Sequence, residues 1–238
     1  MILSNSSYPD IYQQMCAERE KVAFAVRKVK NKAKRIFSRR PVPVFLKEEY
    51  VVPASKNRYL IFAYAMTERE VNHDSFSCKA VLSLTRYDGR RELISLTTQN
   101  LFREEKKTGC EDFLQIFTGH FFARYRERSM LQARSTDPDG VAAIFFGRNS
   151  GFFQMLPFER LTLRAKDYPN GFALQFNDGV SFGSDHSFTL PSGKNVNVFK
   201  HNTFISSSEL KETQEKSVFG HDQLIGRVFR NLLSENDR

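Results

Sequence analysis

Short β-rich runs separated by turn sequences are the feature that most constrains the fold of this chain. Residues 80–85 and 93–97 flank Tyr87-Asp88-Gly89-Arg90. An Asp-Gly pair between two such runs is typical of a β-hairpin, because glycine adopts the positive φ that the turn requires. Further short runs follow within 151–205 at intervals of roughly ten residues, and Asn177-Asp178-Gly179 marks one of their turns. The sequence therefore predicts two groups of antiparallel strands.

Helical periodicity marks the other segments. Residues 10–37 carry apolar side chains at three- and four-residue steps, and the prolines of 41–43 end the pattern. We expect 111–131 to be a central helix capped by Asp112, after a loop or short helix over 99–110. A last helix is expected after the cap sequence at 206–209. The predicted fold class is α+β: a central helix packed on a curved antiparallel sheet, with an N-terminal basic helix and a C-terminal helix.

The net charge of +9 is concentrated in one segment. Residues 18–40 contain ten Lys and Arg against Glu18 and Glu20, which gives a local charge of +8. This asymmetry suggests a basic amphipathic helical arm over 1–41 and a single α+β domain over 42–238. The predicted nucleic-acid-binding residues are the cations of the arm: Arg27, Lys28, Lys30, Lys32, Lys34, Arg35, Arg39 and Arg40.

Two interpretations of this arm stay open. A basic amphipathic helix binds nucleic acid or acidic lipid, and here the apolar face lacks Trp and bulky Leu, which favours nucleic acid. Alternatively, the helix packs one face on the domain and leaves its charges in solvent.

Several classes of protein do not fit the sequence. Cys16, Cys78 and Cys110 are odd in number and widely spaced, which is typical of free thiols in a reducing compartment. The five histidines form no metal-binding motif, so we expect neither a metal nor another cofactor. No run of about 18 apolar residues predicts a membrane span, and no signal peptide is visible at the N-terminus. A cytoplasmic protein without a membrane partner is therefore expected.

One spacing in the chain suggests chemistry. His120, Arg124 and Arg128 stand at i, i+4 and i+8, so on an α-helix they lie within about 80° of one another. A histidine transfers protons near neutral pH, and two arginines bind phosphate. This combination can cleave a phosphodiester without a metal. Alternatively, the arginines lie on a solvated face and His120 packs against a neighbour.

The string His120-Phe121-Phe122-Ala123-Arg124-Tyr125-Arg126-Glu127-Arg128, followed by a strand meander ending at Thr203-Phe204-Ile205, resembles a known arrangement. It is similar to the small bacterial ribonucleases and toxins of the barnase–EndoU–colicin–RelE superfamily, and to toxin-type members whose helix reads H-A-x-x-R-M-x-x-R. Phe121 stands where those members have Ala, and Tyr125 where they have Met. The resemblance covers about 111–205, the predicted motif core.

The resemblance implies metal-independent RNA cleavage by attack of a 2′-hydroxyl on the adjacent phosphate. His120 would transfer a proton, Arg124 and Arg128 would bind the phosphate, and Thr203 would orient a phosphate oxygen. RNA or another nucleic acid would be the partner, together with a protein inhibitor or antitoxin. Two other functions remain open: a non-enzymatic nucleic-acid-binding accessory protein in which His120 is structural, and a protein-interaction module.

Overall fold

The computed structural model describes residues 2–103, 106–129, 137–149, 154–156, 158–161 and 165–210. This part of the chain contains one sheet of nine strands. The strands are β1 (Val44–Val51), β2 (Arg58–Ala65), β3 (Ser77–Thr85), β4 (Arg91–Arg103), β5 (Lys106–Thr118), β6 (Gln154–Leu156), β7 (Gly171–Phe176), β8 (Gly179–Thr189) and β9 (Asn195–Ser206). The helices are α1 (Tyr8–Phe37), α2 (Glu68–Asn72), α3 (Gly119–Arg128), α4 (Pro138–Arg148) and α5 (Phe158–Leu161).

Two antiparallel meanders join to make this sheet. Its strand order is β1-β2-β3-β4-β5-β9-β8-β7-β6, and β5 pairs with β9 in parallel, while the other neighbours are antiparallel. The parallel contact arises where the chain leaves β5, forms α3 and α4, and returns through the second meander. The α+β class and the largely antiparallel sheet are confirmed, and so is the hairpin at Asp88-Gly89, where Gly89 has φ +77°.

The prediction of a helix over 111–131 is wrong in its first half. Residues 111–118 belong to β5, and α3 begins at Gly119, where the side chain of Thr118 accepts a hydrogen bond from the Phe121 amide at 3.2 Å. Asp112 is not a helix cap, because it is buried in β5 and accepts hydrogen bonds from Tyr12, Thr98 and Lys194. A strand buried on both faces shows a continuous apolar run, which periodicity alone does not distinguish from a buried helix.

Three other predicted segments also differ. Residues 99–103 and 106–110 are in strands rather than in a loop or short helix. Residues 158–161 are helical, within the stretch 151–205 where short strands are predicted. The cap sequence at 206–209 forms a single 3₁₀ turn, Ser207–Glu209. The C-terminal helix predicted beyond it lies outside the described residues.

The long helix α1 begins at Tyr8, two residues before the segment 10–37 that the periodicity indicates. Ser7 and Asp10 cap each other's backbone amides, and Pro9 occupies the first turn, where a proline loses no hydrogen bond. Apolar residues from Ile11 to Phe37 are buried against the sheet. Because α1 shares its cores with β1 to β5, the segment predicted as an arm packs in the same folded unit as the sheet.

Helices α3 and α4 cover the opposite face of the sheet. Their buried phenylalanines join those of β2, β5, β7 and β9 in one aromatic core. We call this the aromatic face, and the surface on which α1 lies the α1 face. Side chains alternate between the two faces along each strand, so neighbouring residues of β5 and β9 serve different sites.

Candidate functional site

A cleft of about 1510 Å³ opens on the α1 face, next to the N-terminus of α1. Alternate residues of four adjacent strands line its floor: Glu92 of β4, Thr118 of β5, Lys200 and Asn202 of β9, and Ser184 and His186 of β8. The strand register brings these residues side by side, since Glu92 is opposite Thr118 and Ser184 is opposite Lys200. The N-terminal segment, the β3–β4 hairpin and His120 complete the walls.

A cluster of charges holds the floor and one wall together. Glu92 is buried and contacts Arg86 at 2.6 Å and Lys200 at 3.1 Å. Arg86 also donates to the backbone carbonyls of Ser4 and Ser6, at 3.4 and 3.1 Å, and so fixes the N-terminal segment over the cleft. A buried carboxylate with two cationic partners is well compensated, and one of the two cations remains in excess.

The lining as a whole is cationic. Three basic residues, Arg86, Arg90 and Lys200, face two acidic ones, Asp88 and Glu92, which leaves a charge of +1 with the histidines neutral. Arg91 also lines the cleft, but its guanidinium pairs with Asp139 at 2.6 Å, outside the lining. The side chain of Lys200 is about one-third exposed and can reach a ligand in the cleft. The cleft therefore favours an anionic ligand.

Two histidines line this cleft, and both are exposed. His120 is the second residue of α3, whose start is fixed by the Thr118 cap. Thr118 also donates its hydroxyl to the carbonyl of His201 at 3.1 Å, which ties α3 to β9. The ring of His186 lies against Tyr8, with 6.1 Å between the ring centroids. Two accessible imidazoles beside excess positive charge can act as an acid and a base on a bound anion.

Only His120 of the four predicted catalytic residues lines the cleft. Arg124 pairs with Glu127 at 2.8 Å, on the same helix. Arg128 donates to the carbonyl of Phe204 at 2.6 Å and lies 3.7 Å from Glu209. Eight helical residues separate His120 from Arg128, about 12 Å along the axis, so the shared stripe does not bring them to one point.

Thr203 lies beyond a bulge in β9. The pairing with β8 changes register between Phe182 and Gly183, and Thr203 stands opposite Phe182. Asn202, at the bulge, lines the cleft in its place. Sequence reasoning missed His186, Lys200 and Asn202. The sequence does contain a signal for these residues, because polar side chains alternate at 184 and 186 and at 200 and 202. It does not show that the two strands are neighbours in the sheet.

The predicted basic residues of α1, and Arg39 and Arg40 just after its end, are exposed, apart from half-buried Lys30, which covers the ring of Phe76 at 5.5 Å. Lys32 pairs with Glu48, and Lys34 with Asp74 at 3.3 Å. The remaining members have no carboxylate partner in the described part of the chain: Arg27, Lys28, Arg35, Arg39 and Arg40. We call these five residues the α1 basic patch.

An exposed aromatic ring borders this patch. Phe24 is 53% exposed, and Lys28 and Arg27 lie 4.6 and 6.0 Å from its ring centroid. The patch begins almost 20 residues after the cleft wall at Tyr8, which is roughly 30 Å along the helix. Only an extended anion could therefore contact both the cleft and the patch.

A second group of ionisable residues is structural. Tyr125, which stands where the toxin-type motif has Met, is buried and donates to Asp178 at 2.6 Å. Arg148 and Asn149 of α4 and its C-cap also bind Asp178. Burial alone would raise the pKa of Asp178, but the hydrogen bonds from Arg148 and Tyr125 hold it below its usual value. This network joins α3, α4 and the β7–β8 turn.

No family model matches the chain, and the searches of the curated proteins and of the solved structures found no match. Among the described residues, no group of three or more His, Cys, Asp or Glu side chains is placed to hold a metal ion. None of the described helices combines the length and the apolar character needed to cross a membrane.

Proposed function

We propose that this chain is a metal-independent ribonuclease whose active site is the cleft at His120. The observation that carries the proposal is the presence of two exposed histidines and a surplus of positive charge in one cleft. The proposal keeps His120 from the sequence motif and adds His186, while Arg124, Arg128 and Thr203 take no direct part. The suggested kinship with the barnase–EndoU–colicin–RelE superfamily and a cytoplasmic location belong to the same proposal.

The chemistry needs one proton acceptor and one proton donor. One imidazole takes the proton from the ribose 2′-hydroxyl, and the 2′-oxygen then forms a bond to phosphorus. The bond from phosphorus to the 5′-oxygen breaks, and the other imidazole, in its protonated form, gives that oxygen a proton. The products are a 2′,3′-cyclic phosphate and a 5′-hydroxyl. Lys200 offsets the charge that builds on the phosphate oxygens, and Asn202 donates hydrogen bonds to them.

The α1 basic patch supports a polymeric substrate. Its distance from the cleft suits a strand of several nucleotides, and its five cations supply sequence-independent attraction to the backbone. Exposed Phe24 offers a surface for base stacking. If the resemblance to the toxins holds, a protein inhibitor or antitoxin would be expected to cover the cleft.

The experiment compares cleavage with binding. A single-stranded RNA of about 30 nucleotides is incubated with the protein in excess chelator. His120→Ala and His186→Ala should each slow cleavage at least about 100-fold, since general acid–base groups contribute factors of this size. The affinity for a non-cleavable DNA analogue should change little. His73→Ala is the matched control, because His73 is exposed and lies outside the cleft.

The competing function is nucleic-acid binding without chemistry. It predicts no cleavage by the unaltered protein and an affinity that depends on the α1 basic patch. A protein-interaction module predicts neither cleavage nor salt-dependent binding.

A further inference from the structure

The strand β1 forms one edge of the sheet. It comes first in the strand order and pairs with β2 on one side. No other strand in the described part of the chain pairs with its second side. An edge of this kind presents a row of unpaired backbone amides and carbonyls, which is a template for a strand of another chain. With eight residues, Val44–Val51, β1 is long enough to serve as one.

The side chains of β1 alternate between the two faces of the sheet. Lys47 is opposite Phe62 of the aromatic core, so the odd-numbered positions lie on the aromatic face. The four exposed residues of β1 on that face are Phe45, Lys47, Glu49 and Val51. Phe45 and Val51 are 39% and 40% exposed, although both are apolar. On the α1 face, Leu46 and Tyr50 pack partly against the core beneath α1.

The spacing of these residues is self-complementary. Opposite residues of an antiparallel pair lie on the same face, so a two-fold axis between two copies of β1 must pass beside a single residue. With the axis at Glu48, Lys47 of each copy is opposite Glu49 of the other, and Phe45 is opposite Val51. An axis at Lys47 or at Glu49 would instead place two like charges opposite each other. The charges therefore favour the register centred on Glu48.

The same register is compatible with the α1 face. It places the two copies of Glu48 opposite each other, and each already forms an ion pair with Lys32 of its own α1. The two carboxylates therefore meet together with two ammonium groups, which offset their repulsion. Leu46 of each copy is opposite Tyr50 of the other and adds an apolar contact. Both faces thus match in polarity along the whole pair of strands.

We propose that this chain forms a homodimer in which two copies of β1 pair in antiparallel orientation, with the two-fold axis at Glu48. The two nine-stranded sheets then become one continuous sheet. Charges on an edge strand commonly prevent such pairing, but here their order favours one register over its neighbours. The axis also places both α1 basic patches on the same face of the joined sheet. This inference is independent of the ribonuclease proposal, because no residue of β1 lines the cleft.

The test measures self-association of the full chain by sedimentation velocity. The protein is studied from about 1 to 300 μM, the range that suits a small interface, in about 0.15 M salt to screen repulsion between the two basic surfaces. The mass should rise from 27.6 kDa towards twice that value. Lys47→Glu and Glu49→Lys should each raise the dissociation constant at least about tenfold, because each change places like charges opposite each other twice in a symmetric dimer.

The double variant Lys47→Glu/Glu49→Lys separates pairing between chains from pairing within a chain. Within the chain, Lys47 pairs with Asp139 at 3.0 Å and Glu49 with Arg58 at 2.6 Å, and the double variant loses both pairs. It restores opposite charges only across the two-fold axis. Its dissociation constant should therefore return to within about threefold of the normal value.

Cross-linking tests the register itself. In a chain carrying Cys16→Ser, which removes an exposed thiol, Glu48→Cys should give a disulfide-linked dimer on oxidation with diamide, because opposite Cβ atoms are about 4.5–5.5 Å apart. Glu49→Cys is the matched control, since its two copies would lie about 8 Å apart, too far for a disulfide. The proposal is overturned if the unaltered protein stays monomeric, which would leave the edge to a strand of another protein. It is also overturned if the double variant associates no better than the single ones, or if Glu49→Cys cross-links as readily as Glu48→Cys.

Discussion

Replacement of Glu18 by alanine should destabilise the whole protein, although this residue belongs to the most basic segment of the chain. Glu18 is 3% exposed and accepts four hydrogen bonds. Its donors are Gln14 at 2.9 Å on α1, and Ser55, Asn57 at 2.8 Å and Tyr59 at 2.7 Å on the β1–β2 connection and β2. Glu18 is thus the polar anchor that joins α1 to the first hairpin.

The magnitude follows from the donors that remain. Glu18→Ala leaves Ser55, Asn57 and Tyr59 in a buried site without their acceptor, and each orphaned polar group costs about 1–3 kcal/mol. Water that enters the vacated space accepts hydrogen bonds from some of these donors. We therefore expect the free energy of unfolding to fall by about 3–5 kcal/mol. Glu20→Ala, at an exposed position on the same helix, should change the free energy of unfolding by less than about 0.5 kcal/mol.

The assay is urea unfolding followed by far-ultraviolet circular dichroism, at neutral pH and again in acid. Burial raises the pKa of Glu18, but its hydrogen bonds outweigh this and hold the pKa below the ordinary 4.5. The stabilisation is therefore complete above the unfolded-state value and is lost as the pH falls through the folded-state value. Glu18→Gln should accordingly lose less stability than the unaltered protein below pH 4.5.

A loss below about 1 kcal/mol in Glu18→Ala would contradict this reasoning. It would favour the interpretation of 1–41 as a separable arm over that of a helix packed on the domain. The packing of α1 instead predicts that a chain without residues 1–40 does not fold, because its buried face completes two of the cores.

Two further predictions concern residues outside the cleft. Arg128→Ala should lower the free energy of unfolding by about 1–2 kcal/mol, because the hydrogen bond to the Phe204 carbonyl is lost. The RNA cleavage rate should stay within twofold of normal. A loss of rate of about 100-fold with normal stability would instead place Arg128 in the active site. Replacing both Arg39 and Arg40 by alanine should weaken RNA binding and reduce the slope of log affinity against log salt by about 1.4, at about 0.7 per phosphate contact. An unchanged slope, measured by fluorescence anisotropy, would remove the patch from the binding surface.

The sequence predicts local features of the fold more accurately than distant ones. The hairpin at Asp88-Gly89 depends on one glycine and two flanking runs, and the structure confirms it. The run from Phe113 to Phe117 is buried throughout and apolar except for Gln115, because β5 is central and covered on both faces. Its spacing fits either structure, and only the tertiary position decides between them.

The candidate site depends on contacts that no local pattern contains. His120 was identified because a histidine on an arginine-rich helix is unusual, yet its neighbours in the cleft come from β8 and β9, more than 60 residues later. They meet His120 because β9 pairs with β5 in parallel up to Phe117 and His201, and Thr118 and Asn202 follow these two residues.

The most direct test of the account is the chemistry of the cleaved ends. An RNA of defined sequence with one 2′-deoxynucleotide is incubated with the protein in excess chelator, and the products are identified by mass spectrometry. The account predicts fragments ending in a 2′,3′-cyclic phosphate and a 5′-hydroxyl, no cleavage immediately after the deoxynucleotide, and loss of all products in His120→Ala. Ends bearing a 5′-phosphate, cleavage after the deoxynucleotide, or an RNA that stays intact while bound would contradict it.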